Sequence, residues 1–296
     1  MRISAIVVSY NTCDLLLRCL ESLGEADEII VVDNASTDGS ADAVARAFPS
    51  AILVRNRENV GFGRANNQGL DAATGDCALL LNSDAFATPG AIPILLSALE
   101  QPGVVAVGGL LFTPPDESAI QESACSALTL WAVFCEQTGL EKAISASAWL
   151  SPYWQSRRLV ARGLGTHEVE QVMGACLAFR PVERFDDRFF LYCEDTELCK
   201  RLRRHGKILY VPRAKFGHEL GASSSSDRWR SVARYNRGKE LYFRIHGSRA
   251  DQAVCWVFDR AGAFARLVAH CLMVGRGNPG LWWRVLFAPI GGPKEG

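Results

Sequence analysis

From its start to about residue 100 the chain alternates between two hydrophobic periods, and this alternation limits the fold more than any other feature. ISAIVVSY, EIIVVDN, AILVRN and CALLLNSDA are short β-rich runs that are apolar almost throughout, while CDLLLRCLESL, ADAVARAF and GRANNQGLDAAT repeat apolar residues at helical spacing between them. Strands with two apolar faces, separated by helices, belong in a parallel sheet covered on both sides. The crossovers of such a sheet are right-handed, and its ligands bind beyond the carboxyl ends of its strands. The residues placed there are Ser9, Tyr10 and Asn11; Asp33 and Asn34; Asn56; and Asn82, Ser83 and Asp84.

Beyond residue 100 the pattern loosens. VVAVGGLLF has the composition of a strand, residues 118–168 form an aromatic-containing insertion without a clear period, and VEQVMGACLAFR suits one strand or a pair. FLYCEDTELCKRL sets a strand-like run against the start of a helix, KILYVP follows as a strand, and GHELGASSSS marks a boundary near residue 225. The text after Asp227 is helical. The expected division is 1–225, in halves 1–110 and 111–225, followed by a helical region, 226–296.

Of 296 residues, 48% are hydrophobic and 22% charged, enough for one large folded domain with an appendage or for two small domains. Lys plus Arg and Asp plus Glu are 32 each, so no global charge points to nucleic acid. The last 70 residues, however, carry 12 basic and 5 acidic side chains from Asp227 onward, net +7. A basic tail suits a negatively charged surface or partner. Ten cysteines without a CxxC pair, mostly in apolar contexts, suit reduced core thiols in a cytosolic protein. The N-terminal apolar run is too short for a signal peptide, and no apolar run reaches the length of a membrane span.

Three carboxylates stand together in FLYCEDTELCKRL. Glu197 faces Lys200 and Arg201 at helical spacing and is expected to be a surface ion-pair residue. Glu194 and Asp195 sit where a helix begins, a position for an N-terminal cap or for a reactive side chain. Asp33, at the end of the second apolar run, can accept N–H groups from a base or a hydroxyl from a ribose, whereas Ser36 and Asp38 are placed to cap the following helix. Asp84 ends LLLNSD, where a carboxylate beside a diphosphate is a natural ligand for magnesium or manganese. His218 is one of five histidines, either a structural hydrogen-bonding residue or the partner of that carboxylate in a metal site. GFGRANNQG follows the third apolar run rather than the first and has Asn66 where a dinucleotide fingerprint needs its third glycine, which argues against a nicotinamide oxidoreductase. A nucleotidyltransferase would carry a glycine-rich basic loop after the first strand, where this chain has SYNTCD.

Taken in order, VVSYN, VVDNASTDGS, NVGFGRANNQG, LLLNSDA, MGACLAFR, FDDRFFLYCEDTELCKRLRRHG and GHELGASS resemble the motifs of inverting family 2 glycosyltransferases with a GT-A fold, most of all a rhamnosyltransferase-like branch that builds bacterial surface polysaccharides. The resemblance covers residues 1 to about 225 and, more weakly, RYNRGKELYFRIHG. It implies an α/β GT-A nucleotide-diphospho-sugar transferase fold, with a mainly parallel Rossmann-like sheet and a C-terminal helical extension. It implies that Asp33 binds the nucleobase with Tyr10 beside it, that Asn67 lies on the nucleotide side, that Gly174 and Ala175 line the donor-sugar pocket, and that Asp84 and His218 hold a divalent cation, Mn2+ or Mg2+. Asn82 stands where the family's DxD motif has its first Asp, able to hydrogen-bond a ribose but not to add a carboxylate to the metal. Asp195, second of the Glu194–Asp195 pair, would be the catalytic base. The implied partners are a nucleotide-diphospho-sugar donor and a glycan or lipid-linked acceptor, with a non-catalytic sugar-binding protein as the competing class. For the tail, WVFDRAGAFARLVAHCLMVG with Trp282, Trp283 and Arg249, Arg260, Arg266, Arg276 and Arg284 fits either an anionic membrane surface at the inner face of the cell membrane or an amphipathic helix packed on the catalytic domain.

Overall fold

A computed structural model describes residues 1–219, 228–273 and 278–288. The elements in chain order are β1 (Ile3–Ser9), α1 (Cys13–Glu21), β2 (Glu28–Asp33), α2 (Ser40–Ala47), β3 (Ile52–Arg55), α3 (Phe62–Ala72), β4 (Cys77–Leu81), β5 (Ala85–Ala87), α4 (Ala91–Leu99), β6 (Val104–Phe112) and β7 (Ala124–Cys125). There follow α5 (Leu130–Thr138), α6 (Leu140–Ala143), α7 (Ser156–Val160), β8 (His167–Val169), β9 (Gln171–Val172), β10 (Cys176–Phe179), α8 (Glu194–Leu202), β11 (Lys207–His218), α9 (Arg228–His246), α10 (Arg249–Leu272) and α11 (Pro279–Leu286). They form two compact units: Met1–Ala127, Trp154–Phe190 and Glu194–Ser223 in the first, Leu128–Tyr153, Leu191–Cys193 and Ser224–Gly296 in the second. Residues 128–153, grouped by sequence with the half before residue 225, thus cluster with the C-terminal helices.

The first unit is built on a nine-stranded sheet of order β3-β2-β1-β4-β10-β6-β11-β5, with β8 paired to β11; β7 and β9 form a separate ribbon. Strands β1 to β4 run parallel, as the alternation requires, and the order reverses at β1, which lies between β2 and β4. Antiparallel β10 inserts between β4 and β6, which mixes the sheet's second half. Because side chains alternate across a strand, the continuous apolar runs feed two cores. Ile3, Ala5, Val7, Val31, Leu79 and Leu81 pack on one face with Leu16 and Leu20 of α1 and Leu95 of α4. Ile6, Ile30, Val32 and Leu80 pack on the other with Ala65 of α3 and Leu198 and Leu202 of α8.

Two glycines of GFGRANNQG are there for backbone approach. A Cβ on Gly69 would lie 2.4 Å from Ile6 Cγ2, and Gly61, at φ +88°, would put one 2.6 Å from the Phe190 carbonyl oxygen. That carbonyl accepts the Phe62 N–H at 2.7 Å, tying the start of α3 to the segment before α8. The same segment corrects one expectation: FFLY is a loop and not a strand, since Tyr192 and Cys193 both adopt positive φ, 74° and 65°, immediately before Glu194. Glu197 is corrected too. It is buried, and its carboxylate takes Arg201 four residues on, at 2.8 and 2.7 Å, while the same guanidinium reaches Glu183. Asp38 does accept the Ser40 N–H at the start of α2, but it also accepts the Cys13 N–H at 2.9 Å and so caps α1 across two loops. Ser36 accepts the Asn11 N–H instead of capping α2.

The second unit packs α5, α9, α10 and α11 around a buried ionic cluster. Lys239, fully buried, donates to Asp259 at 2.8 Å and to Glu136 at 3.0 Å, and Gln137 donates to Asp259 at 2.9 Å. The two acidic partners raise the affinity of Lys239 for its proton, against the opposing effect of burial. Gly221–Ser226 of the expected boundary loop and Arg276 lie outside the described residues. No helix among the described residues is long and apolar enough to cross a membrane.

Candidate functional site

The register of the sheet assembles the site. Ser9 is paired with Asp33, so β1 and β2 end side by side, and Tyr10, 40% exposed, follows directly. Asp33 is buried; its Oδ2 accepts the Ser36 N–H at 3.1 Å, and its Oδ1 has no partner among the described residues. A buried carboxylate oxygen without a donor is costly, and a ligand N–H or O–H would satisfy it. Behind it, Asn34 Oδ1 accepts the Val60 N–H and the Asn56 amide, which fixes the loop entering α3. A chain of hydroxyls, Ser9 to Thr12 at 3.2 Å and Thr12 to Ser83 at 2.8 Å, carries the register across to the end of β4. Thr12 was not legible in the sequence because it falls three residues past the end of β1, where only the turn geometry brings it in.

At that end Asp84 Oδ1 lies 3.3 Å from His218 Nε2, and Asn82 Nδ2 lies 3.4 Å from the same nitrogen. His218 reaches this place because β5, immediately after Asp84, pairs with the end of β11, His218 opposite Ala85. Gln121 sets the imidazole. Its Nε2 donates to the His218 carbonyl at 2.7 Å and to Thr113 Oγ1 at 2.9 Å, so its oxygen must face His218 Nδ1, 2.8 Å away. An amide oxygen only accepts, which places the proton of neutral His218 on Nδ1 and leaves a lone pair on Nε2 toward Asp84. Two acceptors at this separation suit an intervening cation. The carboxylate and imidazole fit Mn2+ or Mg2+, and since the described residues contain no cluster of three or more His, Cys, Asp or Glu ligands, the remaining positions would fall to phosphate oxygens and water.

From here contacts run without a gap to the carboxylates of α8. The Asn82 N–H donates to the Ala175 carbonyl at 3.1 Å, and the Gly174 N–H donates to Asp195 Oδ2 at 2.9 Å. Thr196 gives its N–H to Asp195 Oδ1 at 2.7 Å, and Gln171 holds the Thr196 hydroxyl. Burial pushes the Asp195 carboxyl above the ordinary Asp range, against these donors. Glu194 is raised well above its usual value, by burial and then by the Asp195 charge, and its Oε2 has no partner. Asn67 stands apart from this line: its amide N–H groups go to the Phe185 carbonyl and Asp187, and its oxygen takes the Phe185 N–H, so it clamps the loop leading to α8. A cavity of about 590 Å³ opens beside His218 and Gln121, walled by Leu111, Ile120, Trp154 and Met173, the residue preceding Gly174.

The family model for glycosyl transferase family 2 matches residues 4–163. The chain belongs to this family. An N-acetylglucosaminyl-diphospho-decaprenol L-rhamnosyltransferase of Mycobacterium tuberculosis is 28% identical over 263 residues, covering 80% of this chain and 82% of the relative. An uncharacterized glycosyltransferase of Bacillus subtilis, YwdF, is 37% identical over 106 residues, 34% of this chain and 39% of its own. Among solved structures, a mannosyltransferase from Pyrobaculum calidifontis in complex with GDP-Man and Mn2+ superposes at TM-score 0.56 with 19% identity, over 95% of this chain and 77% of that one. S. aureus TarS 1–349 in complex with UDP superposes at 0.54 with 15% identity, over 97% and 79%. The fold is therefore that of the GT-A glycosyltransferases, and the resemblance seen in the sequence motifs holds at the level of family and fold.

Proposed function

We propose that this family 2 glycosyltransferase moves a sugar from a nucleoside-diphosphate donor to a hydroxyl of a glycan or lipid-linked acceptor with inversion, Asp195 acting as the base. The observation that carries the proposal is the unbroken run of contacts from the Asp84–His218 pair through Asn82, Ala175 and Gly174 to Asp195. Its His218 end lines the cavity, whose wall also includes Met173, the residue before Gly174. Asp33 holds the base or ribose through its free Oδ1, with Tyr10, exposed at the end of β1, beside it. Asp84 and His218 would hold a divalent ion, which would offset the charge that develops on the leaving diphosphate. Asp195 takes the acceptor proton: burial makes it a stronger base than an exposed carboxylate, and the Gly174 and Thr196 N–H groups fix its direction. Burial and then the Asp195 charge raise Glu194 well above the ordinary Glu range, which favours its uncharged form beside the base.

The relative from M. tuberculosis supports an L-rhamnosyl donor and a sugar-diphospho-lipid acceptor as the first substrates to try. The test is a screen of UDP-, dTDP- and GDP-sugars with Mn2+ or Mg2+, reading nucleoside diphosphate release, with Asp195→Asn as control. Release from one donor that the control lacks supports the assignment. Silence across the panel, without donor binding, would leave a non-catalytic member of the family.

A further inference from the structure

Helix α10 is built inside out. At about 100° per residue, Val254, Val257, Ala261, Phe264, Val268 and Leu272 share an arc of about 80°. All six are exposed, Phe264 to 57% and Leu272 to 77%. The arc opposite is buried and polar. It carries Cys255 and Asp259, with Asp259 accepting from Lys239 and Gln137, and Arg266 donating to the Gln137 and Glu136 carbonyls. A helix on the surface of a water-soluble domain does the reverse, turning its apolar stripe inward and its charges outward.

The rim of the exposed arc says what covers it. No charged residue lies within the arc; beside it stand Arg249, Arg260 and Trp256 on one side and Asp251, taken up in the Ser248 cap, on the other, with the Arg260 guanidinium 5.5 Å from the Trp256 ring and donating to the Val285 and Ala288 carbonyls. Helix α11, whose Trp282 packs on Arg266 and His270, exposes Trp283, Arg284 and Phe287, the Trp283 and Phe287 rings 4.5 Å apart. Against a second copy, this rim would set arginine against arginine. An anionic lipid surface accepts both parts, the apolar arc at the acyl boundary and the guanidinium and indole groups among the headgroups. Since neither helix can span a bilayer, they would lie in its plane.

We infer that α10 and α11 dock on the anionic face of a lipid bilayer through the arc Val254–Val257–Phe264–Val268–Leu272. The inference goes beyond the transferase reading and does not depend on it, although it would bring the enzyme to a lipid-linked acceptor. It is tested with the full chain and extruded vesicles of phosphatidylcholine alone or with phosphatidylglycerol, by co-sedimentation at low and high salt. Binding to the anionic vesicles, at least tenfold weaker on neutral ones, is expected, with the double variant Phe264→Ser, Leu272→Ser losing at least tenfold in binding. The variant should keep its circular dichroism and its donor turnover on a soluble acceptor, which separates this inference from a failure of the transferase reading. No binding of the wild-type chain to anionic vesicles overturns it, as does equal binding by a folded variant. So does a concentration-dependent dimer in sedimentation velocity that the variant abolishes while vesicles capture neither protein, since the arc would then belong to a second copy.

Discussion

Asp195→Asn is the substitution whose consequences can be worked furthest. The carboxylate accepts the Gly174 N–H on one oxygen and the Thr196 N–H on the other, at 2.9 and 2.7 Å. An asparagine has a single oxygen, so one of those N–H groups would meet an amide NH2, and leaving a buried donor unpaired costs about 1–3 kcal/mol. Part of that is offset, because a neutral amide no longer suffers the burial that disfavours the ionised carboxylate. The folded protein should therefore survive with nucleotide affinity nearly intact, since Asp33, Asp84 and His218 are untouched. Losing a positioned base costs roughly 10²- to 10⁴-fold in rate, or about 3–5 kcal/mol of barrier. The pH profile separates this from a distorted site. A base works only when ionised, and burial holds this one above the ordinary 3.8, so kcat/KM should fall as pH drops through an acid limb lying above 3.8. Nucleoside diphosphate release measured across pH, with calorimetry for donor affinity, gives both quantities. Turnover within about threefold of wild type, or the same acid limb in the variant, would refute the role of Asp195.

The neighbouring carboxyl predicts the opposite behaviour. Burial and the Asp195 charge raise Glu194 above its unfolded value of 4.5, so stability is greatest below that value and declines as pH rises toward the raised one. Glu194→Gln should flatten this decline in urea unfolding from pH 4.5 to neutrality and keep most of the activity; a tenfold loss of kcat with an unchanged fold would make Glu194 a participant in the chemistry. Gln121→Leu should free the His218 ring, moving its Nδ1–H tautomer signature in 15N spectra and weakening Mn2+ binding by about 10- to 100-fold; an unmoved tautomer would show that Gln121 does not set it. Lys239→Met, by leaving Asp259 buried without its cation, should cost about 3–5 kcal/mol in unfolding free energy, and adding Asp259→Leu should recover most of it; a loss below about 1 kcal/mol would mean that the cluster rehydrates on opening.

What the sequence made legible follows from which interactions are local. The alternating periods gave β1 to β4 with their helices because each element's faces are written in its own residues, and the strand-end carboxylates Asp33 and Asp84 came with them. FFLY misled for the same reason: four apolar residues look like a strand, and nothing in them announces the positive φ of Tyr192 and Cys193, where the chain lies so close to α9 that a Cβ on Gly238 would meet the Tyr192 carbonyl oxygen at 2.5 Å. Glu197 was misplaced because spacing shows that Arg201 can reach it but not that both lie under the loop of Glu183 and Arg184. Residues 118–168 had no period to read, since they divide between two units and supply single residues, Gln121 and Glu136 among them, to networks closed far along the chain. The apolar residues of α10 were visible, but their direction was not: an amphipathic pattern is the same whether its apolar side faces a core or a surface.

Asn82, which departs from the family's DxD pattern, makes sense only beside Gln121. By pinning the proton of His218 on Nδ1, Gln121 leaves Nε2 as an acceptor, and the side chain 3.4 Å from that acceptor is Asn82. An aspartate there would oppose lone pair to lone pair and add a second carboxylate beside Asp84, tolerable only with a proton or cation always between them. The amide can donate to the ring before any donor binds and still turn to a ribose hydroxyl afterwards. On the proposed reading Asp84 would supply the single protein charge toward a cation, and His218 a neutral nitrogen. So lightly charged a pair would hold a cation chiefly together with diphosphate oxygens, which would tie metal binding to donor binding.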